Sequence, residues 1–103
     1  MVIKYNKEIN NDAIKSNIDR LTNQIFKLLP EREEGTDWQT PLENIIVEII
    51  GMNQLLLEYH EELFSLLCKL EGLLTLTGEN DFMLFRKNIF ECLGIMNGIK
   101  KCL

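Results

Sequence analysis

The sequence predicts an all-α domain on three observations. An apolar pattern holds helical phase from Leu42 to Leu73, a strong helix start stands at Thr40-Pro41, and no pair of alternating strands is present. The long pattern runs through Leu42, Ile45, Ile49, Met52, Leu56, Tyr59, Leu63, Leu66, Leu70 and Leu73, with spacings of three and four that form the a/d seam of a heptad repeat. A chain of 103 residues with 46% hydrophobic content can build one core over 1–103 and has no room for a second. The expected architecture is an antiparallel bundle of three helices with one long central helix, or of four if that helix breaks.

The first helix is expected over 12–29. Asn10, Asn11 and Asp12 offer capping side chains, and Ile14, Ile18, Leu21, Ile25 and Leu28 form its apolar stripe. Pro30 should end it, because the residue before a proline is pushed out of helical geometry. The loop 30–40 is polar and contains Gly35 and the single tryptophan, Trp38. The second helix is expected over 41–74, with Thr40 as N-cap, Pro41 at the first helical position and Glu43 completing a capping box. Gly51 and Gly72 each weaken it by about 1 kcal/mol relative to Ala without breaking the phase, and a kink or break between Gly51 and Asn53 would divide it. The third helix, over 80–101, carries Phe82, Phe85, Ile89, Cys92, Met96 and Ile99 at alternating spacings.

Lengths then bear on association. At 1.5 Å per residue the three helices would measure about 27, 50 and 33 Å, so neither shorter helix covers the long one. The apolar arc of the long helix also takes in Ile46, Ile50, Leu57, Phe64, Leu67 and Leu74, wider than a two-stranded seam needs. A second copy of the chain is the simplest cover, and a homodimer or small oligomer is expected.

Composition excludes several function classes. A net charge of −5 argues against binding a nucleic-acid backbone, and the one basic pair, Lys100-Lys101, sits where it complements a helix dipole. No apolar run approaches the roughly 20 residues that cross a bilayer. The first residues lack the apolar core of a signal peptide, so a cytoplasmic location is expected. Cys68, Cys92 and Cys102 are odd in number and widely spaced, which predicts reduced, mostly packed thiols rather than disulfides or a zinc site. No metal or cofactor is expected. Abundant Ile, Asn and Lys accompany AT-rich coding sequence, and a phage or mobile-element setting suits such a chain.

Six residues are binding candidates. Arg32, Asp37 and Trp38 share the 30–40 loop beside a helix start, where backbone N–H groups are available to anions and where Arg and Trp suit recognition; structurally, Trp38 could instead close the bundle while Arg32 pairs with Asp37 or a glutamate. Asn53 and His60 stand seven apart on an otherwise apolar stripe, so they either hydrogen-bond and fix helix register or contact a ligand together with Tyr59. Glu58, Glu61 and Glu62 form E-x-x-E-E, which resembles the magnesium-binding helices of all-α nucleotide pyrophosphatases. That chemistry needs facing acids, and the third helix offers only Asp81 and Glu91, so a solvated face is the reading.

No residue set supports catalysis. The expected function is that of a non-enzymatic helical interaction protein, a homo-oligomeric adaptor, inhibitor or regulator that binds a protein partner. The alternative is a protein that sequesters an anionic or nucleotide-like molecule between subunits, using Arg32, Trp38, Tyr59 and His60.

Overall fold

A computed structural model describes residues 11–103, and Asn10 of the expected first cap lies outside them. The described residues form four helices and no strand: α1 Asn11–Glu33, α2 Gln39–Leu55, α3 His60–Leu73 and α4 Phe82–Cys102. Single 3-10 turns at Leu57–Tyr59 and Glu79–Asp81 precede α3 and α4. The all-α prediction holds.

Each helix packs against two others: α1 and α3 both touch α2 and α4. The α1/α4 pair therefore lies across the core from the α2/α3 pair. Two ends can be told apart by their contacts. At one, Arg32 at the end of α1 reaches Leu76 and Gly78 after α3, and Trp38 before α2 meets Phe85 near the start of α4. At the other, Asn11 donates to the Leu103 carbonyl and the Tyr59 hydroxyl to the Cys102 carbonyl, each at 3.3 Å.

The heptad seams make the core. Leu21, Ile25 and Leu28, Leu42 and Ile49, Leu63, Leu66, Leu70 and Leu73, and Phe85, Ile89 and Met96 have no exposed surface. Burying such side chains contributes about 1.5–3 kcal/mol each before conformational entropy is charged against it. No polar or charged residue is buried among the described residues. Exposed ion pairs Arg20–Glu48 (2.7 Å), Lys69–Glu91 (3.0 Å) and Lys100–Asp19 (2.7 Å) join α1 to α2, α3 to α4 and α4 to α1. At about 0–1 kcal/mol each, they add little to stability beside the core.

Three expectations need correction. First, α1 does not stop before Pro30 but continues to Glu33. Proline removes one hydrogen bond, to the carbonyl of Phe26, and both residues are exposed, where water can take that carbonyl. The true stop is Gly35 at φ 75°, where Thr36 N–H donates to Glu31 O and Gly35 N–H to Arg32 O, the paired bonds of a Schellman ending.

Second, the 41–74 helix is not continuous, and its break falls at Leu56 (φ −105°, ψ 69°) rather than at Gly51–Asn53. The chain turns back through Leu57–Tyr59, so α3 packs on α2. The heptad phase runs through this break unchanged because both halves face the same core. Folding back also removes the length mismatch: α2 and α3 measure about 25 and 21 Å against about 34 and 31 Å for α1 and α4. The overhang that called for a second copy is gone. Third, Thr40 is not the N-cap of α2, which begins at Gln39; its leading N–H groups are capped from Asp37.

Candidate functional site

The residues singled out from sequence divide between the two ends of the domain. At the first end, extension of α1 past Pro30 carries Arg32 on the helix instead of in a loop. Its Nη2 donates to the carbonyls of Leu76 and Gly78, both at 2.8 Å. Its guanidinium carbon lies 4.8 Å from the centre of the Phe85 ring, 5.3 Å from Phe82 and 5.8 Å from Trp38, all within cation–π range. Trp38 is half-buried and stands edge-on to Phe85, ring centres 5.0 Å apart and planes at 77°. Arg32 therefore does not pair with Asp37 or a glutamate. It ties the end of α1 to the α3–α4 connection, where carbonyls that follow a helix C-terminus favour a cation, the Gly78 carbonyl accepting from the Asp81 N–H as well.

Asp37 is occupied as well. Its Oδ1 accepts from the N–H groups of Gln39 (3.1 Å) and Thr40 (3.2 Å). The Thr40 hydroxyl first, then the Thr40 and Gln39 N–H groups, hold its carboxyl below the usual range. An open groove of about 700 Å³ runs beside it between α1 and α2, with Lys27 and Val47 in its walls. Of the three acids that line it, Asp37 is committed to the cap and Glu48 to Arg20, and Glu31 is the third.

At the opposite end, His60 Nδ1 and Asn53 Oδ1 are 3.0 Å apart, and the pair bridges the α2–α3 turn. The two polar residues do meet, through a reversal of the chain instead of along one helix. Tyr59, half-buried on the same turn, is held by Cys102 O; partial burial, then the negative surroundings of Cys102, Glu58 and Glu62, raises its pKa. Glu58, Glu61 and Glu62 are exposed, and among the described residues no group of three or more His, Cys, Asp or Glu is placed to hold a metal. Of the thiols only Cys92 is packed; Cys68 and Cys102 are exposed, which corrects the expectation of mostly packed cysteines.

Large apolar side chains stand exposed on two sides of the bundle. On the α2/α3 side Ile50, Leu57 and Phe64 are exposed, Leu57 by 70% and Phe64 by 58%, and the His60 ring lies 6.4 Å from Phe64 at 27°. On the α1/α4 side Phe26 and Phe90 meet edge-on at 6.4 Å, Arg86 lies 5.0 Å over Phe90, and Met83 is 72% exposed. The sequence signal was the wide arc of the 41–74 pattern, read as an overhang. Comparison with models of protein families, with curated protein sequences and with solved structures finds no match.

Proposed function

We propose that this chain is a non-enzymatic interaction protein, an up-and-down antiparallel four-helix bundle that presents apolar helix faces to a protein partner, further copies of itself included. The observation that supports this reading is that six of the nine large exposed apolar side chains among the described residues fall on two helix-pair faces, Ile50, Leu57 and Phe64 on one and Phe26, Met83 and Phe90 on the other, with Val47, Leu55 and Leu84 outside both sets. Contiguous apolar surface on a small domain marks a site of association. An adaptor, inhibitor or regulator role in the cytoplasm, of phage or mobile-element origin, fits it. Two exposed thiols suit a reducing compartment.

The ligand-sequestering alternative needs residues from two copies of the chain. Arg32 and Trp38 are separated from Tyr59 and His60 by the 17 residues of α2, about 25 Å, so one chain does not gather the four around a small molecule. Within one chain, two of the five Arg32 N–H groups are already bonded, to the carbonyls of Leu76 and Gly78. Native mass spectrometry of protein purified from its own host tests the proposal. Masses at multiples of 12.0 kDa, or the chain with a second protein, are expected. A single chain carrying only a small molecule would overturn it.

A further inference from the structure

The two apolar faces differ in charge. From 39 to 73, the span of α2 and α3, the chain carries Glu43, Glu48, Glu58, Glu61, Glu62 and Glu71 against Lys69 alone. Helix α4 carries Arg86, Lys87, Lys100 and Lys101 against Glu91 alone, while α1 holds as many acids as bases. The ion pairs within the chain leave this contrast in place. They occupy Glu48, Lys69, Glu91 and Lys100 and none of Glu43, Glu61, Glu71, Arg86, Lys87 or Lys101.

Helical spacing sets these charges beside the exposed apolar residues. On α3, Phe64 and Glu71 stand seven apart, as do Glu43 and Ile50 on α2. On α4, Met83, Lys87 and Phe90 follow at four and three, and Arg86 sits over the Phe90 ring. One face is thus apolar with an acidic rim and the other apolar with a basic rim. They lie on opposite sides of the core, because α1 and α4 touch one another, as do α2 and α3, and the two pairs close a ring of contacts.

We infer that the occupant of each face is a second copy of this chain, docked head to tail, the α1/α4 face of one copy on the α2/α3 face of the next. Contact between two like faces would set acids against acids or bases against bases, which is unfavourable once water is excluded. Contact between unlike faces matches apolar with apolar and sets Arg86 and Lys87 against the face that carries Glu43 and Glu71. Such a contact is heterologous. Each docked copy leaves one face of each kind open, so the assembly grows into a ring if the rotation closes and a filament if it does not. The inference rests on the reading of the chain as an interaction protein and names its partner.

Sedimentation of capped variants tests it. Phe90→Glu blocks the α1/α4 face and Phe64→Glu the α2/α3 face, and the two blocked faces repel one another; both positions are exposed, and circular dichroism with a thermal melt checks that each variant keeps its fold. The wild-type mass average should rise above 12.0 kDa with concentration up to about 500 µM, and fall back toward it in about 0.5 M salt. Each variant alone should sediment as a monomer, and an equal mixture should give a heterodimer and nothing larger, since each supplies the face the other lacks. Arg86→Glu with Lys87→Glu, which alters no apolar residue, should also abolish assembly. A monomeric wild type, a silent mixture, or assembly unaffected by the charge reversal overturns the inference. A dimer that survives in either variant alone also overturns it, by showing a like-face contact, while leaving the interaction-protein reading standing.

Discussion

The guanidinium of Arg32 lies 4.8 Å from the ring centre of Phe85 and donates from the same group to two carbonyls of the α3–α4 connection. Its partners there, Leu76 and Gly78, are 44 and 46 residues away in sequence, so the contact links the first helix to the last connection. Arg32→Ala should cost about 2 kcal/mol, the range for hydrogen bonds from a charged group plus a partly exposed cation–π contact. Arg32→Lys should recover only part of that, since an ammonium lacks the planar fork. Urea midpoints at constant m-value measure both. A change under about 0.5 kcal/mol for Arg32→Ala would return the residue to the list of recognition candidates.

Trp38 shares the Phe85 ring with Arg32. Its truncation to Ala should cost about 3 kcal/mol, the low end for a large aromatic because half-burial leaves less surface to lose. Combined with Arg32→Ala, the loss should fall short of the sum of the single losses by about 0.5–1 kcal/mol, a coupling read from a double-mutant cycle. Strict additivity would mean that the two side chains do not support one another.

The chain reversal at Leu56 can be tested with one proline. Leu57 opens the 3-10 turn, a first-helical position where a missing N–H costs little. Leu57→Pro should therefore change stability by less than about 1 kcal/mol. In a continuous 41–74 helix the same substitution would cost about 3 kcal/mol or more. Thermal melts with far-ultraviolet circular dichroism distinguish the two outcomes.

Asp37 makes the acid limb of stability specific. Hydrogen bonds from Thr40, then Gln39, lower its folded pKa below the ordinary 3.8. A lowered carboxyl pKa contributes stability that is fully present above the unfolded value and lost as pH falls through the folded one. Asp37→Asn should flatten the melting temperature against pH below about 4 and leave the curve parallel to wild type from pH 6 to 8. An unchanged acid limb would remove the cap from the account.

Thiol labelling reports the packing of α4. Burial pushes the Cys92 thiol up to about 12, while Cys68 and Cys102 are exposed. Iodoacetamide at pH 8 should add two groups to the native chain and the third only on unfolding, counted by intact mass. Rapid native labelling at Cys92 would contradict the core described for this helix.

The sequence by itself determined which residues form the core. Every seam position from Leu42 to Met52 and from Leu63 to Leu73 is buried as its spacing requires, because burial on a helix depends only on phase and apolar character. The end of α1 was misplaced at Pro30, because a proline in the last turn gives up only one exposed hydrogen bond and the helix runs on to the left-handed ending at Gly35. Only the tertiary structure decided that the long pattern is two helices. An unbroken heptad phase is satisfied equally by one helix with an external partner and by a hairpin that covers itself, and the hairpin buries α3 within the same chain. It likewise decided the role of Arg32, whose carbonyl partners have no side-chain signature that sequence could display, and the opposition of the two charged faces, which exists only once α4 has closed the ring with α1.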